Sequence, residues 1–286
     1  MKYKFDDTTN PDTGKENHVH LLDLEDGHGY QPLIGTSGIG NVLAKEGLTW
    51  WASRKACEIF GFIHKDIKKN GKKVGTVPTE ERLMAAATMW EQIVKENPVQ
   101  YLNRLDKAYK AHKTSLDDSA KKGTDLHAEL EKYVKSKMGI WQGATVFDSR
   151  IEPFMVWTMN NVKEFLWSEA YCFDEDLWVG GISDAGAELN DGRIAIIDFK
   201  SSVEAYKTNY IQAGGYALQI EKNGLWDKTG TKNKRIDKPF TTFIIVPFGA
   251  DVVEPDVRDD VETYKEAFKL AVPLYKILGL GSKTDD

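Results

Sequence analysis

Two apolar segments joined by a turn constrain the fold of this 286-residue chain more than any other feature. The segment 193–200 reads RIAIIDFK, and its β-branched residues predict a buried strand. The Asn-Asp-Gly sequence at 190–192 is typical of a turn between antiparallel strands. The preceding apolar segment, 177–189, is therefore expected to pair with 193–200 in a sheet.

Two acids and a lysine lie on these predicted strands. Residues two apart in a strand share a face, so Asp198 and Lys200 are expected to point the same way and Phe199 the other way. The turn brings Asp184 towards Asp198 from the neighbouring strand. Two carboxylates in contact repel unless a cation lies between them, and hard oxygen ligands suit Mg²⁺ or Mn²⁺. A lysine beside such a metal can hold or deprotonate water, so the set predicts phosphodiester hydrolysis.

The acids and the lysine resemble the core of the PD-(D/E)XK nuclease superfamily, and three further motifs resemble its RecB-like branch. A G-x-x-x-H-x-x-x-E sequence contains His127 and Glu131. The sequence GGISD ends at Asp184, and Gln212 and Tyr216 form a Q-x-x-x-Y motif. These motifs stand in the family's order over roughly residues 115 to 250. The pattern is most similar to phage-type and mitochondrial genome-maintenance-type exonucleases.

The resemblance implies roles for individual residues. Asp184, Asp198 and Lys200 would be catalytic. The metal ligands would be the two aspartates, a neutral ring nitrogen of His127 and the backbone carbonyl of Phe199. The implied cofactor is Mg²⁺ or Mn²⁺, as one or two ions. Serine stands before Asp184 where the superfamily's name has proline, a departure that this branch tolerates.

Four residues have secondary roles in this interpretation. Glu131 lies one helical turn after His127, so it could orient that ring, bind metal through water or pair with a lysine. Glu169 lies within an apolar segment. It could bind a second metal, or it could be a structural carboxylate. Gln212 and Tyr216 share one helix face, and the resemblance implies that they contact DNA phosphate or orient the lysine.

The net charge of −6 argues mildly against a nucleic-acid partner, because phosphate binding needs basic surface. Lysines are clustered, however, and we expect Lys121 and Lys122, with Gln212 and Tyr216, to contact DNA. The paired glycines at 180 and 181 lack side chains beside the site, which is expected to admit a DNA backbone.

Other classes of protein are disfavoured by the sequence. No apolar run is long enough to span a bilayer, and the polar N-terminus lacks a signal-peptide core. A cytoplasmic location is therefore expected, in the host cytoplasm if the chain is phage-encoded. The only two cysteines, Cys57 and Cys172, fit no metal-binding spacing and no disulfide framework.

The pattern predicts an α/β fold. Strands are expected at 165–173, 177–189, 193–200 and 240–247, with helices at 205–222 and 259–278. Such an order predicts a central mixed sheet flanked by helices, as in a restriction-endonuclease-like PD-(D/E)XK core. This core is assigned to residues 115–286, starting at a capping-box-like sequence at 115–118. A mainly helical N-terminal lobe is assigned to residues 1–114, with the first 30 residues irregular.

The predicted function is that of a metal-dependent DNA exonuclease acting on single-stranded ends in replication, recombination or repair. One alternative is a structure-specific DNA endonuclease; the CRISPR-adaptation type among these needs a four-cysteine iron–sulfur site that two cysteines cannot build. Another alternative is a non-catalytic DNA-binding or recombination accessory protein with a nuclease fold. The polarity of digestion and the oligomeric state are left open.

Overall fold

The computed structural model describes residues 1–9, 18–42, 48–69, 72–143, 146–231, 233–249 and 254–280. The strands are β1 Lys2–Asp6, β2 Val19–Asp23, β3 Gln31–Pro32, β4 Ile34–Gly35, β5 Asp66–Lys69, β6 Lys72–Thr76, β7 Val162–Asp174, β8 Val179–Leu189, β9 Ile194–Lys200, β10 Leu225–Trp226, β11 Asn233–Lys234, β12 Thr242–Pro247 and β13 Asp256–Arg258. The helices are α1 Thr36–Ile39, α2 Leu48–Glu58, α3 Thr79–Ile93, α4 Pro98–Lys137, α5 Glu152–Asn161, α6 Lys207–Asn223 and α7 Val261–Ile277. Single 3₁₀ turns lie at Gly40–Val42 and Ser149–Ile151.

The central sheet is mixed, as the pattern of strands and helices predicts. Its order is β11-β10-β7-β8-β9-β12-β13, and β4 pairs with β8 beside this path. Strands β7, β8 and β9 are antiparallel neighbours, whereas β9 and β12 are parallel. A parallel pair needs a crossover connection, which α6 supplies between β9 and β12. The prediction of an α/β fold with a mixed sheet flanked by helices is thereby confirmed.

Helices cover both faces of this sheet. On one face, side chains of α4 and α5, including Leu130 and Phe154, pack against Ile197 and Phe199 of β9. On the other face, α6 packs against the alternate residues of β9 and β12, and α7 packs outside α6. Strand β9 is buried on both faces, which explains its nearly continuous apolar sequence. No helix in the described part of the chain is long and apolar enough to cross a bilayer.

The expectation that the first 30 residues are irregular is wrong. Strands β1 and β2 pair antiparallel, and β3 joins them to form a three-stranded sheet. Tyr3 and Leu22 are buried where this sheet packs against Phe173 of β7. The buried Tyr3 hydroxyl lies 2.6 Å from Nδ1 of His20 and forms a hydrogen bond with it. These strands are short, and their burial depends on contacts with a distant part of the chain.

The assigned boundary between residues 114 and 115 lies inside one continuous helix, so it marks no break in the chain. Helix α4 begins after Asn97, whose side chain accepts hydrogen bonds from Val99 and Gln100. It then continues through Ser115 and Gly123 to Lys137. A single internal glycine costs a helix only about 1 kcal/mol relative to alanine, and helix propagation is cooperative. The N-terminal lobe contains α2, α3, the β5–β6 hairpin and the first half of this helix.

The buried His20 is expected to make the fold sensitive to acid. Burial lowers the pKa of His20 to about 4, whereas an unfolded histidine titrates near 6.5. Below pH 6.5 the unfolded chain therefore binds a proton that the folded chain does not, and stability is lost as the pH falls towards 4. Between pH 7 and pH 4.5 the wild type should lose about 2 kcal/mol more unfolding free energy than a His20→Gln variant.

Urea unfolding at a series of pH values measures this difference. The matched control is His28→Gln, which changes an exposed histidine in the turn before β3 and should keep the wild-type pH dependence. A His20→Gln variant whose stability falls as steeply with acid as that of the wild type would contradict the assignment.

Candidate metal centre

The predicted site residues come together where β7, β8 and β9 meet α4 and α6. In the β7–β8 register, Ser168 pairs with Ala185 and Ala170 pairs with Ser183. Glu169 therefore lies opposite Asp184. The β8–β9 register ends at the pair Ala185 and Ile197, whose chain neighbours are Asp184 on β8 and Asp198 on β9. His127 reaches this edge from α4, whose later turns pack on the same face of the sheet. Three consecutive strands and two helices thus supply one cluster of polar side chains surrounded by apolar residues.

Three side chains form a group suited to a divalent cation. Ligand atoms of His127, Glu169 and Asp184 all lie within 4.8 Å of one another. Nε2 of His127 is 3.5 Å from Oδ1 of Asp184, and all three residues are partly buried. An imidazole nitrogen with two carboxylates is a donor set found at sites for Mn²⁺ and other divalent metals. The structure therefore brings His127 and Asp184 together. It also places Glu169 beside them, although the sequence leaves the role of that residue open.

The backbone at Glu169 has an unusual conformation. Its φ is +53°, in the left-handed region that non-glycine residues seldom adopt. Trp167 and Ala170 both pack in the cluster beneath α6 although they are three residues apart, so the alternation of side chains is interrupted between them. Such a conformation costs about 1–3 kcal/mol, and it persists where surrounding contacts impose it, often at functional sites.

Burial and neighbouring charges shift the pKa values of Glu169 and His127. Burial raises the pKa of Glu169 to about 7, and the charges of Asp184 and Glu131 add to that increase. Burial alone lowers the pKa of His127, but its contact with Asp184 and the charges of Glu169 and Glu131 raise it overall. Like charges disfavour ionisation of each carboxylate, and a cation among them would reverse this effect. The group therefore carries the electrostatic character expected of a cation site.

Asp198 is the most deeply buried acid at the site, with a relative exposure of 1%. Nζ of Lys200 lies 2.6 Å from Oδ2 of Asp198, but neither carboxylate oxygen accepts a well-aligned hydrogen bond from the described residues. Burial raises the pKa of Asp198, and the Lys200 charge partly offsets that increase. Asp198 lies outside the group formed by His127, Glu169 and Asp184. Its Oδ1 atom, which has no partner among the described residues, nonetheless fits the chemistry of a metal ligand.

Lys200 completes an ion pair within the sheet. Burial by itself lowers the pKa of its ammonium group, but the charges of Asp198 and Asp184 raise the pKa above its ordinary value. Its side chain keeps 22% of its surface exposed, whereas that of Asp198 is 1% exposed. The acid thus holds a charged lysine at the edge of the site.

Phe199 links strands β8 and β9, which carry Asp184 and Asp198, at the site. The Phe199 amide donates a 2.7 Å hydrogen bond to Oδ2 of Asp184, which links that carboxylate to β9. The Phe199 ring lies edge-on to His127, with ring centroids 5.6 Å apart, and edge-on to Phe154 of α5. The phenyl ring therefore positions the histidine while the strand positions both acids. The role of the Phe199 carbonyl as a ligand stays a prediction.

The structure favours one of the three roles considered for Glu131. Its carboxylate forms an ion pair with Lys135, one turn later in α4. It lies outside the group formed by His127, Glu169 and Asp184, although its charge affects the pKa of His127 and of Glu169. Glu131 therefore adds to the negative field of the site without joining its ligand atoms.

Gln212 and Tyr216 contact each other on α6. Nε2 of Gln212 donates a 2.6 Å hydrogen bond to the Tyr216 hydroxyl. Burial raises the pKa of Tyr216 well above its ordinary value, and the charges of Asp198 and Asp184 add to that effect. The tyrosine therefore lies within electrostatic reach of both acids, while its contact with DNA stays a prediction.

The expectation that Gly180 and Gly181 leave space for a DNA backbone stays a prediction, because the protein's own side chains occupy the positions that their Cβ atoms would take. A Cβ atom at Gly181 would lie 2.6 Å from Cε1 of Tyr216 and 2.8 Å from Oγ1 of Thr36. A Cβ atom at Gly180 would lie 2.8 Å from Cβ of His20. The two glycines admit side chains of α1, α6 and the N-terminal sheet, which pack close to β8 there.

Lys121 and Lys122 precede His127 by six and five residues, respectively, on α4. Their side chains lie outside the described residues, so their proposed contact with DNA stays a prediction.

No protein-family model matches this sequence, and a search of curated proteins finds no significant match. The functional interpretation therefore depends on the fold and on the chemistry of the site.

Removing one acid should abolish metal binding without unfolding the chain. In the wild type, Mn²⁺ at about 100 times its Kd should add about 2.7 kcal/mol to the unfolding free energy. An Asp184→Asn variant should show no such increase in the thermal unfolding midpoint. Its amide oxygen can still accept the Phe199 hydrogen bond, and loss of one negative charge relieves repulsion with Glu169.

A thermal melt with and without Mn²⁺ measures this effect. Glu266→Gln changes an exposed acid on α7 and serves as the control, which should respond to Mn²⁺ as the wild type does. An equal response to Mn²⁺ in Asp184→Asn and in the wild type would contradict the ligand assignment.

Proposed function

We propose that this chain is a metal-dependent deoxyribonuclease of the PD-(D/E)XK type and that it acts as an exonuclease on single-stranded ends. The observation that carries the proposal is the group His127, Glu169 and Asp184, adjacent to the Asp198–Lys200 ion pair. Carboxylates, an imidazole and a charged lysine at one sheet edge are the parts that phosphodiester hydrolysis needs.

The order of the elements supports this proposal. Three antiparallel strands, β7, β8 and β9, lead through α6 to the parallel strand β12, with α4 and α5 on the opposite face. This is the arrangement that the resemblance implies for a PD-(D/E)XK core. The motif residues of α4, β8, β9 and α6 are also brought to one edge of that sheet, as a shared site requires.

The residues present fit a bound Mg²⁺ or Mn²⁺ ion. His127, Glu169 and Asp184 would hold it, and Oδ1 of Asp198, which has no partner among the described residues, would add a further ligand. Such an ion supplies Lewis-acid chemistry, since it neutralises phosphate charge and makes water more acidic. Magnesium prefers oxygen ligands, so the histidine makes Mn²⁺ the more informative probe of the site.

The protein's own residues would perform the remaining tasks. Lys200 keeps its charge beside Asp198 and can hold a water molecule or stabilise a phosphate oxygen as negative charge develops. Asp198 fixes the lysine in place, and the Phe199 amide fixes Asp184. Water would attack the phosphorus in line with the leaving 3′-oxygen, leaving a 5′-phosphate and a 3′-hydroxyl.

A digestion assay tests the mode of action. End-labelled linear single-stranded DNA, linear duplex DNA and circular single-stranded DNA are incubated with Mg²⁺, with Mn²⁺ or with EDTA. We expect Mg²⁺-dependent loss of the linear single strand, with circles spared. Cleavage of circles would instead establish an endonuclease, and the absence of cleavage with Mg²⁺ and with Mn²⁺ would favour a non-catalytic DNA-binding protein.

A further inference from the structure

A cleft of about 250 Å³ lies beside the candidate metal centre. It is bounded by the N-terminal sheet, by the chain at 35–37 that begins α1, by β8 at 180–182 and by Tyr216 of α6. It is smaller than the roughly 300–1,000 Å³ typical of sites for drug-sized ligands. Its volume suits one flat ring system.

The cleft is close to the proposed reaction centre. Ile182 lines it and precedes Asp184 by two residues on β8, a separation of roughly 7 Å along a strand. Tyr216 also lines it, and the charges of Asp184 and Asp198 act on that tyrosine. A group in the cleft would therefore be near a phosphate held at the metal centre.

Four of the ten residues that line the cleft have aromatic rings, and no lysine, arginine, aspartate or glutamate lines it among the described residues. The Phe5 ring centroid is 6.0 Å from that of His18 and 4.9 Å from that of His20. Burial lowers the pKa of His20 to about 4, so its imidazole is neutral near pH 7. Ser37 adds an exposed hydroxyl group at the rim. A phosphate would lack a strong cationic partner here, whereas an uncharged aromatic ring would find both stacking surface and a hydrogen-bonding group.

We propose that this cleft holds one unpaired nucleobase of the DNA strand being cleaved, and this inference rests on the proposed function. The base would pack against Phe5 and His18, with its polar edge towards Ser37. A base can enter only after it leaves its stack, which is least costly in a single strand or at a frayed end. The cleft would thus contribute to the choice of single-stranded ends over intact duplex.

Binding of abasic oligonucleotides tests the inference without relying on cleavage. The probe is a fluorescent oligothymidylate in which one abasic residue is moved through each position in turn. Its Kd is measured by anisotropy with Ca²⁺ and full-length Asp198→Asn protein. We expect one position at which the missing base weakens binding by about fivefold or more, because stacking of a base on an aromatic side chain contributes about 1–3 kcal/mol.

Two variants of this protein assign the effect to the cleft. Phe5→Ala removes the stacking ring and Ser37→Trp fills the space, and both should abolish the position-dependent loss. Tyr30→Ala changes an aromatic residue near the same N-terminal sheet but outside the cleft, and it should preserve the loss. Circular dichroism checks that each variant is folded, and Ser37→Trp, at an exposed position, remains informative if Phe5→Ala is not.

The outcomes separate this inference from the proposed function. Uniform binding at every abasic position, with Mg²⁺-dependent cleavage by the wild type, would overturn the nucleobase cleft and leave the nuclease intact. A position-dependent effect that persists in both cleft variants would also overturn it. A position-dependent effect lost in those variants supports the cleft, even if the wild type fails to cleave DNA and the nuclease proposal is rejected.

Discussion

An Asp198→Ala variant is expected to lose about a thousandfold or more of the Mg²⁺-dependent cleavage rate, in line with the loss of a principal electrostatic group from an active site. Asp198 is almost fully buried, its oxygens accept no well-aligned hydrogen bond from the described residues, and its charge holds Lys200. Truncation would remove a proposed metal ligand and release the lysine in one step. Single-turnover cleavage of an end-labelled oligonucleotide measures the loss.

Two controls make this first result specific. Asp198→Asn keeps the volume of the side chain and should be nearly as inactive, because it removes the charge. Asp191→Asn changes an exposed aspartate in the β8–β9 turn and should cleave at close to the wild-type rate. Cleavage by Asp198→Ala within a few-fold of the wild type would exclude this residue from the reaction.

Removal of the lysine should have the largest effect on stability among the site variants. Without metal, Lys200→Met leaves Asp198 buried with no cation, which should lower the unfolding free energy by about 3 kcal/mol. The pKa of Asp198 is already raised by burial and rises further when the lysine is lost. The folded state then binds more protons than the unfolded state, so the destabilisation should be larger at pH 8 than at pH 5.

A double-mutant cycle isolates this ion pair. Asp198→Asn with Lys200→Met removes both charges, so the double variant should recover most of the stability lost in Lys200→Met alone. We expect a coupling of about 2 kcal/mol or more between the two positions by urea unfolding in EDTA. Additive losses would contradict the pairing. Neither the single nor the double variant should cleave DNA, because cleavage needs both charges. Stability needs only that neither charge is left buried without the other.

The sequence predicts the central part of the fold because strong local patterns specify it. Strand β9 has β-branched residues on both faces, a turn sequence precedes it, and a helical pattern follows it. The period of two residues also predicts that Asp198 and Lys200 share a face, consistent with their ion pair. The strands β1 to β3 have five residues or fewer, and their burial, like that of helix α5, depends on distant partners.

Parts of the site depend on tertiary geometry that the sequence pattern does not contain. Glu169 joins His127 and Asp184 through the β7–β8 register and a left-handed backbone conformation at a non-glycine residue. The contact of Tyr216 and Thr36 with Gly181 depends on how α6 and α1 close over β8. A glycine pair in a strand indicates close approach, but it does not indicate whether protein or ligand approaches.

The most direct test of the central claim is cleavage of a 5′-labelled single-stranded oligonucleotide by purified wild-type protein and by Asp184→Asn, each with Mg²⁺, with Mn²⁺ and with EDTA. The account predicts that the wild type releases shortened products with either metal and none with EDTA, and that Asp184→Asn releases none under any condition. Intact oligonucleotide in every wild-type reaction, or equal cleavage by Asp184→Asn, would contradict it.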